Sequence, residues 1–253
     1  YLSGIQDSII VDIGGTTSDV GYIKAGFPRQ SAIATDVGGV RTNFRMPDII
    51  SIGLGGGSLI RDNGNKVGPD SVGYRLTEKA LVFGGETLTA TDIAVKHYGL
   101  DIGDKSLLKK LDNSTVKNAK NQITRLLEDA VDKMKTSSEN VPAVFVGGGT
   151  ILNKENLNGI SELVIPDNFA VANAVGAALG QVSGEVDRVF HYEKLGREKT
   201  IEQASNEAKQ LAKEAGAKES SIEINEINEN PLAYLPGKSV RLQIKAIGDL
   251  ENY

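Results

Sequence analysis

Two short apolar runs each end in a cluster of glycines, and this pairing constrains the fold more than any other feature of the 253-residue chain. Ser8-Ile9-Ile10-Val11-Asp12-Ile13 leads into Gly14-Gly15-Thr16-Thr17-Ser18-Asp19. Ala143-Val144-Phe145-Val146 leads into Gly147-Gly148-Gly149-Thr150. A short apolar run bounded by turn residues reads as a buried strand. Glycine at its end opens backbone conformations closed to other residues and lets a ligand lie against the main chain. Both loops are expected to face one cleft, because ligand sites of α/β folds gather beyond the carboxyl ends of buried strands.

The remaining pattern supplies an element order. Val20-Gly21-Tyr22-Ile23-Lys24 is predicted to return as a second strand, and residues 29–37 as a third. From Val37 to Glu86 the chain is glycine-rich, and short strands and ordered loops are expected. Thr89-Ala90-Thr91-Asp92 has the chemistry to cap a short helix through Tyr98, which Gly99 closes. Residues 104–111 suggest another short helix. Asn113-Ser114 is predicted to cap the longest helix, with Val116, Ile123, Leu126, Leu127, Ala130, Val131 and Met134 as one apolar stripe, ending near Thr136-Ser137-Ser138. Leu163-Val164-Ile165 reads as a strand, and Pro166-Asp167-Asn168 as the start of a small-residue helix from Ala170 to Leu179.

Composition shifts near Val182-Ser183-Gly184-Glu185. Beyond it, 187–194 reads as a strand and 199–215 as an amphipathic helix with Ile201, Ala204, Ala208, Leu211 and Ala212 inward. Residues 222–227 and 240–247 alternate as half-buried strands do. The expected domains are therefore 1–185 and 186–253. Strands, a long helix, then strand, helix, strand and helix is the order of a ribonuclease-H-like half-domain, the building block of actin-like ATPases. The expected fold class is α/β, with that half-domain followed by a small α+β unit.

Composition removes several chemistries. There is no cysteine, which excludes disulfides, thiol catalysis and cysteine-bound zinc. That is compatible with a reducing compartment, and a cytoplasmic location is expected. The two histidines, His97 and His191, leave little for a histidine-ligated metal or a serine–histidine triad; His97 reads as a capping or surface residue at a helix end and His191 as a structural one in a strand. A net charge of −5 argues against general nucleic-acid binding. No apolar run approaches the roughly 20 residues that cross a bilayer, so no membrane partner is expected.

The glycine loops are where chemistry is expected. Asp12 at a strand end can hold Mg²⁺, directly or through water. Gly14 and Gly15 let main-chain N–H groups reach phosphate oxygens, and Thr16 and Thr17 add hydroxyls. Asp19 can face back across the hairpin and is a candidate catalytic carboxylate. The plainer reading is a tight turn capped by Asp19. No GxxxxGK[ST] motif is present. Gly147, Gly148, Gly149 and Thr150 lie about 135 residues further on and can seat an adenine or ribose on bare backbone. Gly53-Leu54-Gly55-Gly56-Gly57-Ser58 is either another phosphate or substrate cradle or a bend packed on the nucleotide lobe.

Taken together, Asp12 to Asp19, Ile52 to Ser58, Val67-Gly68-Pro69-Asp70-Ser71-Val72-Gly73 and Thr89 to Asp92 resemble the hydantoinase A / 5-oxoprolinase family. So do Gly147 to Thr150, Ala172-Asn173-Ala174-Val175-Gly176-Ala177-Ala178 and Pro231-Leu232-Ala233-Tyr234-Leu235-Pro236-Gly237. The resemblance implies an actin-like ATPase fold that uses ATP and Mg²⁺ to activate a cyclic amide or carbonyl substrate for hydrolysis or carboxylation. It also implies a possible second subunit of the hydantoinase B type. In this picture Asp12 helps hold Mg²⁺, Gly14, Gly15, Thr16 and Thr17 hold phosphates, and Gly147 to Thr150 seat adenosine. Family members carry a further Asp-x-Gly-Gly-Thr loop on a preceding half-domain. The expectation is accordingly the C-terminal portion of a longer enzyme, partnered by a missing N-terminal half-domain. The alternatives are an actin-like-fold kinase and a non-catalytic ATP-dependent switch or assembly module.

Overall fold

The computed structural model describes residues 5–24, 26–30, 36–37, 40–41, 47–173, 176 and 181–251. Contacts divide the chain into two compact units, Tyr1–Asn173 and Ala174–Tyr253.

The first unit is built on a six-stranded mixed sheet. β1 (Ser8–Ile13) and β2 (Ser18–Lys24) form an antiparallel hairpin whose register sets Asp12 opposite Asp19 and Ile13 opposite Ser18. β2 continues to the two-residue β3 (Phe27–Pro28), and further along its length it pairs with β6 (Ile49–Ile52). Between them, β4 (Asp36–Val37) and β5 (Val40–Arg41) make a separate two-stranded ladder. The third strand expected over 29–37 is thus a two-residue strand ending at Pro28, followed by a single bridge from Gln30 to Pro47. Residues 31–35 lie outside the described residues. Beyond Pro28 the Arg29 N–H still donates to the Tyr22 carbonyl at 2.7 Å.

β7 (Ser58–Arg61) and β8 (Lys66–Ser71) form a second hairpin. The helical turn α1 (Leu76–Lys79) leads to α2 (Ala90–Tyr98). Thr89 and Asp92 make a reciprocal capping box at the start of α2, and Gly99 closes it in the left-handed conformation, as the sequence predicts. α3 (Asn113–Met134) is the long helix. Its cap is Asp112, one residue before the expected Asn113-Ser114, because the Asp112 carboxylate accepts from the N–H groups of Ser114 and Thr115.

After α3 the chain returns through β9 (Val141–Val146), parallel to β1, and β10 (Ile160–Val164), parallel to β9. The strand order is β10-β9-β1-β2-β3, with β6 beside β2. Ile9, Val11, Ile13 and Phe145 from the sheet meet Val116, Ile123, Leu127, Val131 and Met134 of α3 in one buried core. The expected apolar stripe therefore faces the sheet. The helix expected over 170–179 begins with a 3-10 turn at Phe169–Val171; Ala172, Asn173 and Gly176 are helical, and the rest of it lies outside the described residues.

The second unit is a three-stranded antiparallel sheet with one helix on it. β11 (Gln181–His191) is followed by the turn α4 (Tyr192–Leu195), α5 (Arg197–Glu214), β12 (Glu223–Pro231) and β13 (Ser239–Asp249). The order is β11-β13-β12. The strand expected over 187–194 starts six residues earlier and stops at His191, where the chain turns into α4. Ala204, Ala208 and Ala212 of α5 sit on Val186, Leu242, Ile244 and Ala246. Leu211 was expected on that face but is 38% exposed. The helix comes too close to the sheet for a larger stripe: a Cβ on Gly184 would lie 2.7 Å from the carbonyl carbon of Leu211 and inside contact of the Ala212 nitrogen and Ala208 oxygen.

Candidate functional site

Because β1, β9 and β10 run parallel, their carboxyl ends share one edge of the sheet. That edge brings together two loops about 135 residues apart in sequence. Asp12 stands beside Val146 in the β1–β9 register, and Gly147 follows at once. The approach is close enough that a Cβ on Gly147 would fall inside contact of the Asp12 carboxylate and the Ile13 carbonyl oxygen. Gly147 also has φ +86° and ψ 157°, a region that only glycine adopts at low cost. A Cβ on Gly149 would lie 2.6 Å from the Gly14 oxygen. The two expected loops therefore touch.

The Gly14–Thr17 loop is closed by one bond, from the Gly14 N–H to the Thr17 carbonyl at 2.9 Å. Two of its other carbonyls are turned inward. Gly14 O accepts from the Gly56 N–H at 3.0 Å, and Gly15 O accepts from the Gly57 N–H at 2.7 Å. In a trans peptide the C=O and the following N–H point in opposite directions. The N–H groups of Gly15 and Thr16 consequently point away from the buried side. Among the described residues, neither N–H has a partner, and neither do the hydroxyls of Thr16 and Thr17. Gly15, Thr16 and Thr17 are exposed. Outward N–H groups flanked by hydroxyls form an anion-binding concavity.

The Gly53–Ser58 segment is the bend and not an open cradle, since Leu54 to Ser58 are buried beneath this loop. Gly148 is exposed, with open space where a Cβ would stand. Thr150 is 2% exposed, and its hydroxyl donates to the Gly147 carbonyl at 2.5 Å, holding the 3-10 turn Gly148–Leu152.

Asp12 and Asp19 are direct cross-strand partners, so both carboxylates stand on one face of the hairpin. Asp12 accepts from the Asn173 side-chain amide at 3.1 Å, and Asp19 accepts from the Ser51 hydroxyl, its own register partner on β6. Among the described residues neither carboxylate meets a cationic side chain, and like charges placed opposite one another are unfavourable. A divalent cation would relieve that repulsion. No group of three or more acidic or histidine side chains is placed to hold a metal among the described residues. Two carboxylates with an adjacent anion loop nonetheless suit Mg²⁺, which keeps several waters and leans on substrate phosphates.

Asn173 and Ser51 were not singled out as site residues. Asn173 stands in the Ala172–Ala178 motif, which was the available signal for it. Ser51 has no local signal, because only the β2–β6 register brings it to Asp19.

Two buried ionisable groups support the loops from behind. Lys120 on α3 donates to Asn153 Oδ1 at 2.7 Å and to the Thr124 hydroxyl at 3.0 Å, fastening the end of the Gly148–Leu152 turn. Burial pushes its pKa down, against the nearby carboxylate of Glu155. Asp92 accepts from the N–H groups of Val82 and Thr89 and from the Thr89 hydroxyl. Burial still raises its pKa.

A family model described as hydantoinase/oxoprolinase matches residues 1–97. The matched part holds Asp12, Gly14–Thr17, Asp19, the Gly53–Ser58 bend and the α2 cap. Two solved structures are similar to the chain over 99% of its length. One is an acetone carboxylase in its nucleotide-free form, with 19% identity and a TM-score of 0.58. The other is an ATP-dependent caprolactamase from Pseudomonas jessenii, with 18% identity and a TM-score of 0.63. At these identities the likeness is one of fold: a mixed α/β chain with a central mixed sheet. The chain covers 47% and 48% of those two proteins, about half their length. No curated protein matches it. No helix among the described residues is long and apolar enough to cross a membrane.

Proposed function

We propose that this chain supplies one wall of the nucleotide cleft of an ATP-dependent enzyme acting on a cyclic amide or related carbonyl compound. The observation that carries the reading is the pair of inward-pinned carbonyls, Gly14 O and Gly15 O, which turns the next two N–H groups outward on a loop that Gly149 touches, with Gly147 against Asp12. The strand order, a β1–β2–β3 meander followed by β9 and β10 in parallel, supports reading the first unit as a ribonuclease-H-like half-domain of the actin-like ATPase kind. The family match over 1–97 and the ATP-dependent names of both structural neighbours support the use of ATP.

In this reading the Gly15 and Thr16 N–H groups and the Thr16 and Thr17 hydroxyls hold phosphate oxygens. Asp12, steadied by Asn173, helps place Mg²⁺. Asp19, steadied by Ser51, stands across the hairpin as a second carboxylate for the ion or its waters. Gly147 to Gly149 leave bare backbone for adenosine, and Thr150 keeps that turn in shape. Bound ATP supplies the phosphoryl group that makes a carbonyl carbon open to attack. Positioning and charge neutralisation are what the protein contributes to such chemistry. A second phosphate loop on a preceding half-domain would complete the cleft, and a hydantoinase B-type subunit is the proposed further partner.

The test is ATP hydrolysis by the 253-residue chain, with and without the N-terminal half of a related enzyme, in the presence of hydantoin, 5-oxoproline or caprolactam. Turnover is expected only in the reconstituted enzyme, with a loss of at least about a hundredfold in Asp12→Ala. Full activity in reconstituted Asp12→Ala would overturn the assignment. Nucleotide-dependent partner binding without turnover on any of these substrates would favour a switch.

A further inference from the structure

Glycine gives the phosphate loop its close approach, but it also makes the loop easy to misalign. A Gly-Gly peptide can rotate at little steric cost. If the Gly14–Gly15 peptide flipped, a carbonyl oxygen would replace an N–H at the site and would repel an anion. Something outside the loop has to prevent this, and the buried Gly53–Ser58 bend is placed to do so.

The bend has four anchors of its own. The Ser18 hydroxyl donates to Leu54 O at 2.7 Å. The Gly55 N–H donates to the Ser58 hydroxyl at 2.8 Å. The Thr91 N–H and hydroxyl both donate to Gly56 O, each at 2.9 Å, from the first turn of α2. The Val72 N–H donates to Gly57 O at 3.0 Å. From that fixed position Gly56 and Gly57 donate to the two carbonyls of the phosphate loop. Gly55 lies flat against the Gly15–Thr16 peptide: a Cβ there would stand 2.5 Å from the Thr16 nitrogen, 2.6 Å from the Gly15 carbonyl carbon and 2.8 Å from the Gly14 oxygen.

We propose that the Gly53–Ser58 bend is the brace that aims the phosphate loop's N–H groups, with Gly55 and Thr91 as positioning residues that do not themselves touch the ligand. This rests on reading Gly14–Thr17 as the phosphate loop. It assigns Thr91 a task a capping-box residue does not need, because the cap is made by Thr89 and Asp92 while the Thr91 hydroxyl goes to the brace.

The experiment follows ¹⁵N-labelled amides of Gly14 to Thr17 and of Gly56 and Gly57 in the full chain, comparing wild type with Thr91→Ser, Thr91→Val and Gly55→Ala. Amide exchange and shifts are recorded alone and during titration with magnesium pyrophosphate. Thr91→Ser keeps the hydroxyl and is expected to match wild type. Thr91→Val removes one buried hydrogen bond and is expected to speed exchange at Gly56 and Gly57, whose N–H groups donate to the loop, to move the Gly15 and Thr16 shifts, and to weaken pyrophosphate binding about fivefold. Gly55→Ala is expected to weaken it by about tenfold or more, and Thr91→Val carries the test if Gly55→Ala does not fold. Unchanged Gly56 and Gly57 exchange with unmoved Gly15 and Thr16 shifts in Thr91→Val overturns the brace, as does binding by Thr91→Val equal to that of Thr91→Ser. A wild-type chain that takes up no pyrophosphate overturns the phosphate-loop reading instead, while the ligand-free exchange data still decide whether the bend controls the loop.

Discussion

Gly147 and Gly148 are adjacent, yet the geometry gives them opposite sensitivities. At Gly147 an alanine meets two penalties. Its φ of +86° with ψ of 157° lies in the glycine-only region, which costs on the order of 1–3 kcal/mol for other residues. Its Cβ would press into the Asp12 carboxylate and the Ile13 carbonyl oxygen and stand 2.9 Å from the Ile13 carbonyl carbon. Overpacking of that kind costs roughly 1–3 kcal/mol. The sum is about 4 kcal/mol. For a body of this size each kcal/mol moves the melting temperature by about 2–4 °C, so Gly147→Ala is expected to melt roughly 10 °C below wild type. At Gly148 a Cβ meets nothing, and the residue is exposed. Gly148→Ala is expected to change stability by less than about 1 kcal/mol.

The functional expectation runs the other way. The open space at Gly148 is the ground assigned to adenosine, so Gly148→Ala is expected to keep its melting temperature and to bind a fluorescent ATP analogue about tenfold more weakly in the reconstituted enzyme. Calorimetry and fluorescence titration on the two variants separate the effects. A Gly147→Ala protein melting within about 2 °C of wild type would show that the two strand ends do not meet as described. Undiminished ATP affinity in Gly148→Ala would refute the adenosine assignment.

Asp92→Asn cannot accept all the donors that meet the buried carboxylate and is expected to lose about 1–3 kcal/mol in urea titration. Because burial raises Asp92 above its ordinary value of 3.8, the native state holds that proton more tightly than the unfolded chain. Wild-type stability from this group is therefore full below pH 3.8 and declines as pH rises through the raised value. The advantage over Asp92→Asn should be largest at the acid end, and an advantage that grows toward neutral pH refutes the sign. In the second unit, Gly184→Ala is expected to unseat α5 and abolish the cooperative unfolding of that unit, whereas Leu211→Ala should cost under about 1 kcal/mol. Equal effects of the two would contradict the close helix–sheet contact.

What was legible in the sequence was whatever short-range chemistry determines. The Ser8–Ile13 strand, the Thr89 cap, the α3 stripe and the β-α-β-β order of the tail follow from apolar period and capping residues within a few positions. The helix cap at Asp112 was missed by one residue because Asp112, Asn113 and Ser114 are all good caps, and only backbone geometry selects among them. Leu211 was misplaced because a helical stripe drawn from hydrophobicity cannot register that Gly184 brings the helix too close for a leucine. The role of Gly53–Ser58 stayed open for a related reason. Glycine in a ligand cradle and glycine under another backbone look alike in sequence, and only the bonds from Gly56 and Gly57 to Gly14 and Gly15 distinguish them.

The site cannot be separated from the core that assembles it. Asp12 and Gly147 meet because β1 and β9 are parallel neighbours, and parallel neighbours require a long crossover between them. α2 and α3 belong to that crossover, and α3 is held to the sheet by the same residues that alternate with the site. Ile9, Val11 and Ile13 point into the core beneath α3, while Asp12, between Val11 and Ile13, stands on the other face with Asp19 across from it. A one-residue slip of β1 would exchange those faces, burying the carboxylate and exposing the isoleucines. The apolar alternation of six residues therefore sets the register, and the register delivers Asp12 and the glycine loop to the edge where Gly147 turns away.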